Sequence, residues 1–331
     1  MAGPGRFRLL TIVGPGVAVA AVRNAVRACL SDLAPGDLVL AACSGGADSL
    51  ALAAALAFAG PRLGLRCGAV TVDHGLQEGS AERALTVAAT LAALELDPVY
   101  NLAVEVPSAG GPEAAARAAR YRALDSLAAQ AILLGHTLDD QAETVLLGLA
   151  RGSGARSLAG MPARRGPYRR PLLGIRRAAT LSACAELGLE PWHDPHNADP
   201  RYARVRVRSQ ALPALEAALG PGVAEALART ATQLRDDADC LDVFAESEQI
   251  RAAASDPAGL DVRWLAELPA AIRTRVLRQA AISAGCPAGA LSAGHVQQAD
   301  ELVTCWHGQR WADLPGGVRV RRLDGKLWFA S

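Results

Sequence analysis

Residues 44–49, Ser44-Gly45-Gly46-Ala47-Asp48-Ser49, put two glycines, two hydroxyls and one carboxylate into six positions. That set suits a polyphosphate. Gly45 and Gly46 let the backbone come close to phosphate oxygens, Ser44 and Ser49 offer hydroxyls, and Asp48 can hold Mg²⁺ against them. Three further stretches carry ionisable groups at short spacing: Asp73-His74, the pair Arg117 and Arg120, and His136 followed by Asp140 and Glu143. Arg117 and Arg120 are three apart and present two guanidinium forks to a phosphate; Asp140 and Glu143, also three apart, share one helix face. One of these carboxylates can bind metal while the other receives a cationic amine. Each feature also has a plain structural alternative: a capped turn before a helix, a solvated ion-paired helix face, a hydrogen-bonded histidine. No lysine follows the glycines, so the stretch is not a Walker A loop.

The elements that must position these groups alternate in type. Residues 38–43 form an apolar run of strand length, and Leu50 to Leu56 is strongly helix-forming, so the glycines join a buried strand to a helix N-terminus, where anions bind. A helix is expected from Val17 to Leu33, stopped by Pro35-Gly36. Then follow a strand over Cys67–Val72, a helix over about 81–96, a strand near 99–104, a helix over about 112–130 and a strand over 131–135. That order predicts an α/β fold with a doubly wound parallel sheet and ligands at the carboxyl ends of its strands. Asp73-His74 closes the second strand and Gly135-His136 the fourth, beside any ligand seated on the glycine loop.

The chain of 331 residues suggests two domains, and its 51% hydrophobic content is ample for packed cores. Formal net charge is +1, with Lys326 the one lysine among 34 basic residues, so arginine supplies nearly all the cations. A balanced total does not exclude RNA, because a local basic face suffices. The seven cysteines (29, 43, 67, 184, 240, 286 and 305) form no C-x-x-C pair, which argues for reduced thiols and against zinc or an iron–sulfur cluster. No apolar stretch is long enough to span a membrane, and residues 1–16 read as a loose tail rather than a secretory leader.

The Ser-Gly-Gly-x-Asp-Ser stretch resembles the PP-loop of ATP pyrophosphatases, which cleave ATP to AMP and pyrophosphate while activating an acceptor oxygen. Four more stretches extend the likeness: Val72 to Leu76, Glu113 to Tyr121, Gly135 to Thr144, and Arg170-Pro171-Leu172-Leu173. In this order and spacing the chain resembles the tRNA(Ile)-lysidine synthases. The resemblance implies a PP-loop ATPase fold of the adenine nucleotide alpha hydrolase type. It also implies ATP and Mg²⁺ as cofactors, and as partners an isoleucine tRNA with a CAU anticodon and free L-lysine; whether a second copy of the chain joins them as a homodimer is left open by the sequence. The activity implied is adenylation of the C2 oxygen of the first anticodon cytidine, followed by displacement of AMP by lysine to give lysidine in a cytoplasmic enzyme. Its site residues carry over as a catalytic set of Arg117, His136, Asp140, Glu143 and Arg208. Ser44, Gly45, Gly46, Ala47, Asp48, Ser49, Asp73 and His74 would lie around ATP, and Asp48 and Asp140 would hold the metal. A tRNA thiolation enzyme of the same superfamily is the alternative, although that chemistry commonly uses paired cysteines.

The remainder of the chain fits the same resemblance. A Gly- and Arg-rich segment from Arg151 to Arg170 has the composition of an RNA-contact loop, and a helix is expected over Arg177–Leu187. Trp192 to Asp199 resembles the family's W-x-x-D-x-[ST]-N segment, with His196 in place of a hydroxyl residue and Val205 where Asn is commoner. Arg204 and Arg208 lie one helical turn apart, suited to an adenylate phosphate or an RNA backbone. Gly220-Pro221-Gly222 is expected to divide a catalytic domain (17–219) from a helical tRNA-recognition domain (220–331) with a small β element. In the latter, a long helix from 223 to about 252 carries Asp236, Asp237, Asp239 and Asp242 as a solvated acidic face. Helices near 269–284 and 293–304 and a terminal hairpin complete it.

Overall fold

The computed structural model describes residues 15–75, 79–106, 112–152, 154–192, 194, 199–255 and 259–330. His196 and residues 1–14 of the expected tail lie outside them. The chain divides into two compact units: Met1–Leu147 with Met161–Ala228, and Gly148–Gly160 with Arg229–Ser331.

In the first unit the strands are β1 (Leu38–Ala42), β2 (Arg66–Asp73), β3 (Val99–Ala103), β4 (Ala131–Leu134), β5 (Arg164–Arg165) and β6 (Tyr168–Arg169). They form one sheet in the order β3-β2-β1-β4-β6-β5, parallel except for the β5–β6 edge pair. β1 and β4 carry no charged residue because both their faces are buried. Val39 and Ala41 point to one core, Leu38 and Leu40 to the other. The first core is covered by α1 (Val17–Cys29), α2 (Ala47–Ala59), α3 (Ser80–Ala93) and α7 (Arg177–Glu186), and the second by α4 (Pro112–Asp125). α2 is apolar on nearly every side, and residues 49–56 are all buried. α4 ends five residues before its expected limit because Gln130 joins the sheet: its N–H donates to Leu38 O at 3.0 Å and its side-chain oxygen accepts from Leu38 N at 2.9 Å.

β2 and β3 lie on one side of β1 and β4 on the other, so the order in which strands are added reverses between β1 and β4. The crevice beyond their carboxyl ends is the topological switch point. α5 (Leu138–Ala150) starts there. α8 (Ala203–Arg206), a π turn (Val207–Ala211) and α9 (Leu212–Leu219) return to it, with Leu212 and Ala224 packed on Leu138 and Ala142.

The Gly220-Pro221-Gly222 break turns α9 into α10 (Val223–Ser255), with φ of 90° at Gly220 and 101° at Gly222. Glu216 caps the new helix, accepting from Gly222 N at 2.7 Å and Ala224 N at 3.2 Å. The division between compact units falls later, inside α10 after Ala228. Residues 148–160, including α6 (Ala155–Leu158), belong to the second unit.

That unit contains the rest of α10, α11 (Val262–Glu267), α12 (Ala270–Ser283), α13 (Ala293–Thr304) and a four-stranded antiparallel sheet. Its strands are β7 (Leu260–Asp261), β8 (Ala312–Asp313), β9 (Arg319–Leu323) and β10 (Lys326–Ala330), in the order β7-β10-β9-β8. The expected hairpin is β9–β10; the flanking two-residue strands are too short to leave an alternating pattern. Leu265, Val276, Leu277, Leu302, Val320 and Leu327 form the core. On α10, Asp239 and Asp242 pair with Arg156, and Asp242 also with Arg275 at 2.8 Å, so half of the expected solvated acidic face is ion-paired.

Candidate active site at the strand switch point

The glycine loop is held by its own side chains. Cys43 N–H still donates to Val70 O of β2 at 2.8 Å, and the chain then turns at Gly45 with φ of 85°. A Cβ on Gly45 would lie 2.7 Å from Val87 Cγ2, so both conformation and space require glycine. Ser49 Oγ accepts from Ser44 N at 3.2 Å and donates to Gly46 O at 2.9 Å, so its hydroxyl shapes the loop, while Ser44 is exposed. Gly45 O accepts from Trp192 N at 2.9 Å. Ala47 and Asp48 begin α2, whose free N–H groups face the crevice end. β4 closes against this turn: a Cβ on Gly135 would stand 3.1 Å from Ser49 N.

Beside the loop, three carboxylates converge on Arg177, the first residue of α7. Its Nε lies 3.1 Å from Asp48 Oδ2, its Nη2 2.8 Å from Asp140 Oδ1 and its Nη1 3.7 Å from Glu143 Oε1. Thr180, one turn along α7, donates to the other oxygen of Asp48. Asp140 Oδ2 accepts from Thr137 N and Thr137 Oγ1, both at 2.9 Å. Burial opposes ionisation of Asp140, but Arg177 and the Thr137 N–H outweigh it and hold the carboxyl below its ordinary value. At Asp48 burial wins over Arg177 and the pKa rises. For Arg177, burial is outweighed by Asp140, Asp48 and Glu143, which raise its pKa.

Glu143 has a fully buried side chain. Arg208 grips it through Nε at 2.6 Å and Nη2 at 3.1 Å, a bidentate pair, and Arg204 Nε stands 3.1 Å from Oε2 without hydrogen-bond alignment. Arg204 also donates to Thr144 Oγ1 at 2.8 Å. The π turn over Val207–Ala211 joins α8, which carries Arg204, to α9, and Arg208 is within it. Against this network opens a cavity of about 230 Å³ whose lining includes Glu143, Arg176, Arg208, Leu212, Pro213 and Glu216.

A second polar cluster surrounds Tyr121. Arg117 Nη2 and Arg170 Nη2 each donate to its hydroxyl at 3.4 Å, and Arg117 and Arg120 lie over its ring at 5.0 and 5.7 Å. His136 is partly buried, and burial together with Arg170, Arg120 and Arg117 pushes its pKa down to about 3 against the pull of Asp140. It is a neutral imidazole at physiological pH. His74 is lowered by burial and Arg120. Nδ1 of His74, Nδ1 of His136, Nε of Arg120 and Nε of Arg170 are buried without a hydrogen-bond partner among the described residues. Asp73 instead turns back on its own loop, its Oδ1 accepting from Gly75 N at 2.9 Å.

Of the residues singled out in the sequence, Asp48, Asp140, Glu143 and Arg208 thus meet in one network, and Arg117, His136 and His74 border the second cluster. The arginines expected to form an RNA loop are mostly occupied: Arg169 is buried against Asp32, Arg164 pairs with the same Asp32 at 2.7 Å, and Arg170 donates to Pro162 O at 2.9 Å. Arg177 and Glu216 escaped the sequence reading. Arg177 stands four residues beyond the Pro171-Leu172-Leu173 stretch at a helix start, and that nearness to a motif was the available signal.

Asp48 and Asp140, two of the three carboxylates on Arg177, stand beside a helix N-terminus and a glycine turn and fit a nucleotide polyphosphate with Mg²⁺, which takes few protein oxygens and completes its shell with water and phosphate. Fold and loop together define a PP-loop ATP-utilising domain. The comparisons agree: a profile for the PP-loop domain matches residues 20–215, and one for the TilS substrate binding domain matches residues 260–328. A tRNA(Ile)-lysidine synthase of Thermobifida fusca is 62% identical over 95% of this chain and 98% of its own length. One of Streptomyces coelicolor is 54% identical over 95% and 99%, and one of Salinispora tropica 55% over 93% and 95%. The chain belongs to the tRNA(Ile)-lysidine synthase family. Among solved structures, a U34-tRNA thiolase from Methanococcus maripaludis with its [4Fe-4S] cluster superposes with a TM-score of 0.53 at 20% identity, covering 66% of this chain and 79% of that one. That likeness is of fold alone. Among the described residues no helix is long and apolar enough to cross a membrane.

Proposed function

We propose that the chain attaches free L-lysine to C2 of the first anticodon cytidine of a CAU-anticodon isoleucine tRNA, using ATP and Mg²⁺, in the cytoplasm. The observation that carries the reading is the convergence of Asp48, Asp140, Glu143 and Arg208 at the switch point, on a chain of this family. The glycine loop and the α2 N-terminus bind the ATP phosphates, with Asp48 and Asp140 as the metal-holding carboxylates. Bound there, Mg²⁺ neutralises charge on the phosphates and on departing pyrophosphate. The cytidine C2 oxygen attacks the α-phosphorus, the bond to pyrophosphate breaks, and Arg117, with Arg120, stabilises the charge on the transferred adenylyl group. Neutral His136 offers its free Nδ1 to a group at that centre.

In the second step the lysine amine attacks C2, loses a proton, and AMP departs with the former C2 oxygen. The cavity beside Glu143 fits the amino acid: Leu212 and Pro213 for the aliphatic stem, Arg176 and Arg208 for the carboxylate, and Glu143 and Glu216 for ammonium charge. Lysine then competes with Arg208 for Glu143, its carboxylate engaging the guanidinium while its amine engages Glu143. The test is incubation of the protein with ATP, Mg²⁺, radiolabelled lysine and total tRNA. Label is expected to become acid-precipitable and ribonuclease-sensitive; AMP release without labelled RNA would overturn the reading in favour of another PP-loop activity.

A further inference from the structure

The four-stranded sheet of the second unit has two unlike faces. Val320 and Leu327 are fully buried and Phe329 packs on the same core. Strand alternation therefore sends Arg319, Arg321 and Leu323 of β9, and Lys326, Trp328 and Ala330 of β10, to the other face. Register sets them side by side, Trp328 opposite Arg321, Ala330 opposite Arg319, and Asp313 of β8 opposite Arg319. Trp311, two residues before Asp313, lies under Arg319 with the guanidinium carbon 5.3 Å from the ring centre. Trp311 is 43% exposed and Trp328 38%. In a chain with five tryptophans, two on one exposed sheet face need an explanation beyond packing.

We infer that this face docks RNA, with Trp311 and Trp328 stacking on unpaired bases and Arg319 and Arg321 holding the adjoining phosphates. The inference rests on the tRNA reading above and names the surface and contacts through which this unit takes part. Flat indole rings between forked cations are the composition of a nucleic-acid stacking platform. The charge favours a polyanion, because the face carries Arg319, Arg321 and Lys326 against Asp313 and Asp261, one cation in surplus. Asp313 pairs with Arg319 at 2.8 Å, and Asp261 accepts from Arg263 N and Trp264 N at 2.8 and 3.0 Å as the cap of α11. Arg321 is exposed and has no ion pair among the described residues. A second copy docked through the same face would set Arg319 and Arg321 close to their own counterparts, whereas RNA brings phosphates to both.

The test uses the full chain and an unmodified CAU-anticodon isoleucine tRNA at fixed salt, with Arg321→Ala, Arg321→Glu and Trp311→Ala checked for unchanged thermal unfolding. Arg321→Glu is expected to weaken tRNA binding about tenfold or more, and Arg321→Ala to flatten the plot of log affinity against log salt by about one unit. Trp311→Ala is expected to weaken binding about tenfold. Lysine transfer at saturating tRNA should keep its kcat in all three while KM for tRNA rises. Wild-type affinity and salt slope in every variant would overturn the inference. So would a concentration-dependent mass lost in the variants with tRNA affinity intact, which would assign the face to a second copy. Wild-type protein that binds no tRNA would count against the functional reading itself, and so is distinguishable.

Discussion

The two polar clusters at the switch point are built from similar residues but satisfied in opposite ways. Around Arg177, three carboxylates face Arg177, Arg204 and Arg208, and formal charges cancel within the protein. Around Tyr121, Arg117, Arg120 and Arg170 stand with two histidines, and four buried nitrogens have no hydrogen-bond partner among the described residues. A buried charge is tolerated only when paired, and a buried donor left open costs free energy until something binds it. The balanced cluster is therefore preorganised without ligand, and the open one is arranged for an anion brought from outside. In the function proposed above, the first would hold metal and amine through its carboxylates, and the second would meet phosphate and developing charge.

The largest expected effect comes from removing a carboxylate of the balanced cluster. Asp48→Ala should reduce AMP formation to background, a loss of at least about a thousandfold, or about 4 kcal/mol of barrier. Near-normal AMP release from folded Asp48→Ala protein would break the assignment of the loop. Arg177 should come next, since its guanidinium is what ties Asp48, Asp140 and Glu143 together. Arg177→Met leaves these buried acids without their shared cation. We expect about a hundredfold loss of AMP formation and a lower unfolding temperature, with Arg177→Lys restoring little because one ammonium cannot bridge the same three acids. Equal activity in the Lys variant would mean that charge alone, not the fork, matters there.

Glu143→Gln sharpens the comparison within the balanced cluster. It keeps shape and removes the charge that Arg208 and the lysine amine share, so lysine transfer should fall about tenfold or more below any loss in adenylate formation measured without lysine. Equal loss in both steps, or none in either, would count against the amine assignment.

The smallest effect is expected at an ordinary structural pair. Asp32 is held down to about 2, chiefly by the hydrogen bond from buried Arg169 and despite partial desolvation. A depressed carboxylate contributes stability above its unfolded value and loses it as pH falls through the folded one. Asp32→Asn should therefore unfold at a slightly lower temperature at pH 6, and the gap to wild type should close between about pH 4 and pH 2. A gap independent of pH would show that the pair contributes nothing through its charge.

Much of this was legible in the sequence because local signals agreed. The run from Leu38 to Leu56 has a strand, a glycine turn and a helix in immediate succession, and the structure places each within a few residues. Asp140 and Glu143 share a helix face by spacing alone. What spacing could not convey is who meets whom across the crevice: Arg204 and Arg208, read as suited to an adenylate phosphate or an RNA backbone, both stand against Glu143, and Arg177 is brought to Asp48 from 129 residues away. In a chain where arginine supplies nearly all the cations, composition cannot separate a structural arginine such as Arg169 from a functional one; burial and partners do. The Gly220 to Gly222 break was legible as a turn, but the division between units falls within a continuous helix, where no composition shift marks it.

The division of labour between the clusters requires two separable chemical steps. The most direct test is a pulse with ATP labelled at the α-phosphate, with Mg²⁺ and CAU-anticodon isoleucine tRNA but no lysine, followed by a chase with unlabelled lysine. We expect label to accumulate in the tRNA during the pulse and to leave as AMP in the chase, in step with lysine incorporation. Absence of RNA-bound label in the pulse, with lysine still incorporated when all components are present, would contradict an adenylated tRNA intermediate and the reading of the site built on it.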